Sequence, residues 1–336
     1  MSRLAHLAVL SFCILLFAAP LLYAAGPPER KSAGPERAGG SPGSASSEGS
    51  YPQALIDDRG DRVLIPQQPM RIISLTQFID EVLLELVEPA RMLGVTLFAG
   101  DPNISNVSAQ AAAIPHKLSL NPEVILSLRP DLVFVANWSE ADKVRLLRDA
   151  GVPVFLIASA VTVAGIQDKI RLVARIVGEP ARGEALIERM DARLAGVARR
   201  LAALPAARRL SVLDYTVWGS TQGRGSSWGQ VARLAGLRNA ADSLPVDSWG
   251  QAPLSREKLL ELDPDLLILP GWIYGEPQGA QAFFRQVTSD PVLQRLKAVK
   301  TGRVYSMPEN LKTTTSQYLA AAVEYLARTA YPELFR

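Results

Sequence analysis

One unit of 18 residues occurs twice in this chain, and that duplication constrains the fold more than any other feature. Residues 121–138 read NPEVILSLRPDLVFVANW; residues 255–272, which begin 134 positions later (255 minus 121), read SREKLLELDPDLLILPGW. Seven of the 18 positions are identical: Glu123/Glu257, Leu126/Leu260, Leu128/Leu262, Pro130/Pro264, Asp131/Asp265, Leu132/Leu266 and Trp138/Trp272. Shared leucines alone would reflect any amphipathic helix. Glu, Pro-Asp and Trp held in one register indicate a duplicated helix-to-strand unit, one copy in each of two similar lobes.

The physics of one copy is readable directly. Asn121 and Ser255 suit the N-cap, the next residue suits the first helical position, and the Glu falls in the first turn, where the helix dipole favours an anion. Ile125 and Leu128, like Leu259 and Leu262, form a stripe at helical spacing. Pro then stops the helix. The unbroken apolar runs at 132–135 and 266–269 predict strands of a parallel sheet covered on both faces. Each Trp follows its strand's carboxyl end, where open α/β sheets place their ligands.

Along the chain, residues 1–25 read as a signal peptide: Arg3 supplies the positive start, 7–17 the apolar stretch, and the small residues near Ala24 and Ala25 the cleavage site. Retention as an uncleaved anchor over 7–25 is the alternative. Cys13 lies inside the apolar run after Phe12, which is not the position of a lipidated cysteine. Residues 26–50, rich in Gly, Pro and Ser, predict a disordered linker. An edge hairpin is expected within 51–66. An N-terminal α/β lobe over 51–164 should hold strands at 71–75 and 152–157, helices at 78–87 and 143–150, and the first repeat unit. Inter-lobe helices over 165–207 break at Gly178-Glu179-Pro180; the second, over 181–204, is a rod of about 36 Å. A C-terminal α/β lobe over 208–336 repeats the plan, with strands at 210–214 and 302–307 and a closing helix at 317–331. Alternating strands and helices indicate mostly parallel central sheets flanked by helices.

The residue inventory excludes several chemistries. A formal charge of +3 without a dense basic run gives no nucleic-acid signature. A single Cys allows no disulfide framework and no thiolate metal site. The stretch 225–229, GSSWG, matches the G-x-S-x-G nucleophile elbow, but no His follows His116, so the triad lacks its base. Phosphate-cradle motifs are absent. No catalytic residue and no resident metal or cofactor is expected.

What remains at the ligand edge is aromatic and polar: Gln77, Phe78, Asn137, Trp138, Tyr215, Trp218, Arg224, Trp228, Trp249, Trp272 and Tyr274. Large amphipathic side chains around a cleft suit a bulky, partly apolar ligand.

Taken together, the export signal, RIISL at 71–75, NPEVILSLRPDLVFV at 121–135, LLRDAGVPVFLI at 146–157, PLSREKLLELDPDLLIL at 253–269 and KTGRVYSMP at 300–308 resemble the periplasmic substrate-binding proteins for iron–siderophore and vitamin B12 uptake. The resemblance covers about residues 70–335. It implies two α/β lobes joined by a single long α-helix, little hinge motion, a ligand cleft between the lobes, and delivery to the transmembrane subunits of an ABC importer. It also implies that one surface Glu per lobe docks against permease arginines; the matching positions are Glu123 and Glu257. The expectation is a monomeric, non-enzymatic periplasmic protein that captures a ferric siderophore or a corrinoid such as cobalamin. The alternatives are a haem-binding protein, with Tyr215 or Tyr274 as iron ligand, a tethered sensor, or a chelatase-like enzyme on the same scaffold.

Overall fold

A computed structural model describes residues 50–336. The expected signal peptide and nearly all of the expected linker lie outside the described residues. The described chain opens with an antiparallel hairpin of β1 (Gln53–Ile56) and β2 (Arg62–Ile65). Then β3 (Ile72–Leu75), β4 (Met92–Thr96), β5 (His116–Leu118), β6 (Leu132–Ala136) and β7 (Val154–Ile157) form a five-stranded parallel sheet in the order β5-β4-β3-β6-β7.

The second lobe contributes β8 (Ser211–Asp214), β9 (Ser220–Gln222), β10 (Arg238–Asn239), β11 (Gln251–Pro253), β12 (Leu266–Pro270) and β13 (Val304–Met307). Four of these form a parallel sheet in the order β10-β8-β12-β13, and β9 pairs with β11 as an antiparallel ribbon. Ile72 pairs with Leu132 in the first sheet and Val212 with Leu266 in the second. The repeat strand therefore lies beside the opening strand of its lobe in matching register.

Both copies of the repeat fold alike in detail. Asn121 caps the helix Pro122–Ser127 by accepting from the Val124 amide, and Ser255 caps Arg256–Leu262 by accepting from the Lys258 amide. Each helix leaves through a left-handed residue at the same repeat position, Arg129 (φ 48°) and Asp263 (φ 35°), just before the Pro-Asp pair. The repeated Asp then fastens the unit to the sheet. Asp131 accepts from the Met70 and Arg71 amides at 2.8 and 2.9 Å, and Asp265 accepts from the Ser211 amide and hydroxyl at 2.8 and 2.9 Å. Burial would raise the Asp265 carboxyl, but the Lys297 ammonium and the Ser211 donors outweigh it and hold the group below its usual value.

One continuous core runs through both lobes. Ile72, Phe134 and Phe155 from the first sheet, and Val212, Leu266 and Ile268 from the second, share it with the helices Val163–Val177, Pro180–Leu201 and Leu319–Ala330. The opposite sheet faces carry separate cores: Val133, Val135 and Leu147 on the first, Leu267, Leu269 and Val287 on the second. The 22-residue helix Pro180–Leu201, about 33 Å of rod, packs against both Val163–Val177 and Leu319–Ala330. It ends before the expected residue 204, because Pro205 cannot continue it, yet Leu204 stays buried.

Candidate functional site

Strand order reverses between β3 and β6 in the first sheet and between β8 and β12 in the second. Such switch points open a crevice at the carboxyl ends of the strands. The helices Pro122–Ser127 and Arg256–Leu262 lead into their strands through tight turns and so run against them. Their N-termini, with Glu123 and Glu257, therefore share a sheet edge with the loops after β6 and β12. Both glutamates are exposed, and neither forms an ion pair among the described residues. Hydrogen bonds from its own amide and the Ser255 hydroxyl hold the Glu257 carboxyl below its usual value.

The edge loops gather several of the expected aromatic residues. The Trp272 ring meets Tyr274 edge-on at 5.9 Å between centroids, and Tyr274 meets Phe98 edge-on at 5.7 Å. Phe98 follows β4 of the first lobe, so this run of rings crosses from one lobe to the other. Sequence reading missed Phe98; the signal available was the exposed pair Leu97-Phe98 directly after a strand. Trp138 is exposed after β6, and Asn137 beside it is half-buried, its amide donating to the Ile157 carbonyl. Arg224 is exposed on the loop after β9 and Trp249 on the loop before β11, and no ion pair of Arg224 occurs among the described residues. Gln77, half-buried after β3, donates to the Ile104 carbonyl and so fixes the loop after β4.

Two expected contacts are corrected. Phe78 and Trp228 are 5% and 1% exposed and belong to the shared core. Both lie in the first turn of a helix that follows the ligand edge, and the helix rotation turns them inward, away from Gln77 and Ser227. Tyr215 and Trp218 are drawn into a different setting. With Arg256 and Phe283 they line a pocket of about 440 Å³ formed wholly by the second lobe, where the Tyr215 ring packs tilted by 36° against Phe283 at 5.7 Å between centroids.

Beneath the edge lie buried charges that sequence reading did not single out. Asp80 is fully buried, and burial pushes its carboxyl up to about 7 against the hydrogen bonds from Thr96. Its neighbour Glu81 ties the lobes together: its carboxylate accepts from the Asn106 amide and side chain of the first lobe and from the Ser316 and Thr314 hydroxyls of the second. In the second lobe Lys312 Nζ lies 3.5 Å from Asp214 and 4.0 Å from Glu309. Burial raises the Glu309 carboxyl, although Lys312 pulls it down. Among the described residues no group of three or more His, Cys, Asp or Glu side chains is arranged to hold a metal ion. The edge offers aromatic faces and scattered hydrogen-bonding groups, which is the equipment of a binding site for a bulky ligand.

Residues 72–311 match the model of the periplasmic binding protein family. The chain belongs to that family. An uncharacterized ABC transporter substrate-binding lipoprotein, YvrC of Bacillus subtilis (strain 168), is 24% identical over 294 residues, spanning 85% of this chain and 88% of that one. A cobalamin-binding protein of Halobacterium salinarum (strain ATCC 29341 / DSM 671 / R1) is 27% identical over 283 residues, 84% of this chain and 74% of that one. The crystal structure of the heme binding protein HmuT superposes with a TM-score of 0.68 at 21% identity, covering 85% of this chain and 92% of that one, a likeness of fold. In this periplasmic binding protein two parallel-sheet lobes flank a helical connection.

Proposed function

We propose that this protein binds a metal chelate in the cleft between its lobes and delivers it to the transmembrane subunits of an ABC importer. The observation that carries the reading is the shared edge: two exposed glutamates at equivalent repeat positions, without ion pairs among the described residues, stand on the same side as the aromatic loops. A partner that engages both carboxylates then faces the mouth of the cleft. Charge complementarity of this kind sets docking register and encounter rate.

The candidate ligand contacts are Gln77, Asn137, Trp138, Arg224, Trp249, Trp272 and Tyr274, joined by Phe98. Aromatic side chains from both lobes and a single unpaired expected cation, Arg224, suit a corrinoid better than an anionic ferric siderophore. The cobalamin-binding relative is consistent with that choice. The signal read in residues 1–25 and the family membership both support export to the periplasm.

In an uptake assay, Glu123→Ala combined with Glu257→Ala should leave ligand affinity within about twofold and reduce transport by about tenfold or more. Unchanged uptake would refute the docking assignment. Lost affinity would place the glutamates in the ligand site instead.

A further inference from the structure

We propose that the pocket on the second lobe is a recognition site for a planar aryl group carrying an oxyanion. Its volume of about 440 Å³ suits a small ligand. Tyr215 is 8% exposed, lines the pocket, and its hydroxyl has no hydrogen-bond partner among the described residues. Burial pushes the phenol up, with Arg256 pulling it down, so the hydroxyl stays a donor at neutral pH.

The second donor is Arg256. Its guanidinium Nη1 is held 3.0 Å from Asp290, whose other carboxylate oxygen accepts from the Val292 and Leu293 amides. One edge of the fork is thereby anchored and the rest of its five N–H groups remain to be used. Tyr215 and Arg256 both call for an acceptor oxygen, and the Gln286 amide, which also lines the pocket, can donate or accept.

The lining is largely polar, and within it the aromatic side chains call for a flat ring. Phe283 backs the Tyr215 ring, and Trp218, 82% exposed, stands at the mouth with nothing packed over it. Glu276 also lines the pocket, but its carboxylate lies over Gly279, at the N-terminus of the helix Gly279–Ser289, where the dipole offsets its charge. At repeat position 256 the first lobe has Pro122 in place of Arg256, so the duplication did not copy this donor.

An aryl oxyanion could arrive in two ways. It could be an arm of the chelate in the cleft, such as the phosphate–ribose–benzimidazole arm of cobalamin, and that source rests on the corrinoid reading above. It could also be a free molecule. Arg256 adjoins Glu257, so either occupant would sit beside the docking carboxylate.

The test is calorimetric titration of residues 51–336 with cobalamin, with cobinamide, which lacks the aryl arm, and with the free benzimidazole ribotide. Wild type should bind cobalamin about tenfold tighter than cobinamide, and the ribotide measurably. Arg256→Met should shrink the preference to within about twofold and abolish ribotide binding. Tyr215→Phe, which keeps the ring contact with Phe283, should weaken both by about threefold to tenfold. Ribotide binding without corrinoid binding, lost in Arg256→Met, would establish the pocket with a free occupant and refute the corrinoid reading. Equal binding of cobalamin and cobinamide with no ribotide binding would overturn the pocket proposal and leave the cleft standing. No binding of any probe would overturn both.

Discussion

At the scale of single residues, the buried Asp80 of the helix Gln77–Leu86 makes stability depend on pH. Asp80 has one carboxylate oxygen bonded to the Thr96 amide and hydroxyl at 3.2 and 2.5 Å, and the other without a partner. Its carboxyl is raised from 3.8 to about 7, so the folded state holds a proton that the unfolded state gives up. Stability is therefore greatest below about pH 4 for this group and falls as pH rises towards about 7, by up to about 4 kcal/mol. Asp80→Asn should raise the melting temperature at pH 8 and flatten its dependence between pH 4 and 7; thermal melts across that range would show it. A steeper dependence in the variant would mean that another group dominates. Such an acid is invisible in sequence, because Asp80 occupies a helix position that reads as amphipathic and its burial depends on β4. The misplacement of Phe78 and Trp228 has the same origin. Proximity to a strand's carboxyl end is legible in sequence, while the direction of a side chain in a first helical turn depends on how the helix settles on the core.

At the scale of elements, the repeat was legible as helix, stop and strand, and each part took the expected form. What the sequence did not disclose is why Asp follows Pro in both copies: it accepts amides from the neighbouring strand, a contact between residues 60 positions apart for Asp131 and 54 for Asp265. The turns before these residues make a further distinction. Arg129 and Asp263 both sit at positive φ, a conformation costing an L-residue about 1–2 kcal/mol. Arg129→Gly should therefore stabilise the protein by about 1 kcal/mol in chemical denaturation. Asp263→Gly should not, because Asp263 also accepts the Lys297 amide at 2.7 Å. Equal gains at both sites would show that the Asp263 side chain contributes nothing. The strands β4 and β5 escaped sequence reading for plain reasons: β4 carries Gly94 at its centre, and β5 has three residues, one of them the exposed His116. With β4 went Phe98, the residue that carries the aromatic run across to the other lobe.

At the scale of the whole molecule, two devices hold the lobes. One is the core shared along the helix Pro180–Leu201. The other is the polar bolt around Glu81, continued by Gln317 donating to the Glu81 carbonyl at 2.7 Å and by Tyr318 donating to Glu85 at 2.9 Å. A buried carboxylate with this many donors is costly to remove, since its partners lose their acceptor; Glu81→Ala should cost about 3 kcal/mol. Amide exchange over 101–107 and 309–318 should quicken in that variant while β6 and β12 stay protected. Uniformly faster exchange would mean that the bolt is part of global stability and not a fastening between lobes. Two such fastenings favour a cleft that is largely formed before ligand arrives, with binding energy spent little on closure. The most direct test of the account is a tryptophan-fluorescence titration of residues 51–336 with cobalamin, haemin and a panel of ferric siderophores. The account expects at least one chelate, cobalamin first, to bind below about 10 μM, equivalent to roughly −7 kcal/mol. Binding of none of them at that level would contradict it.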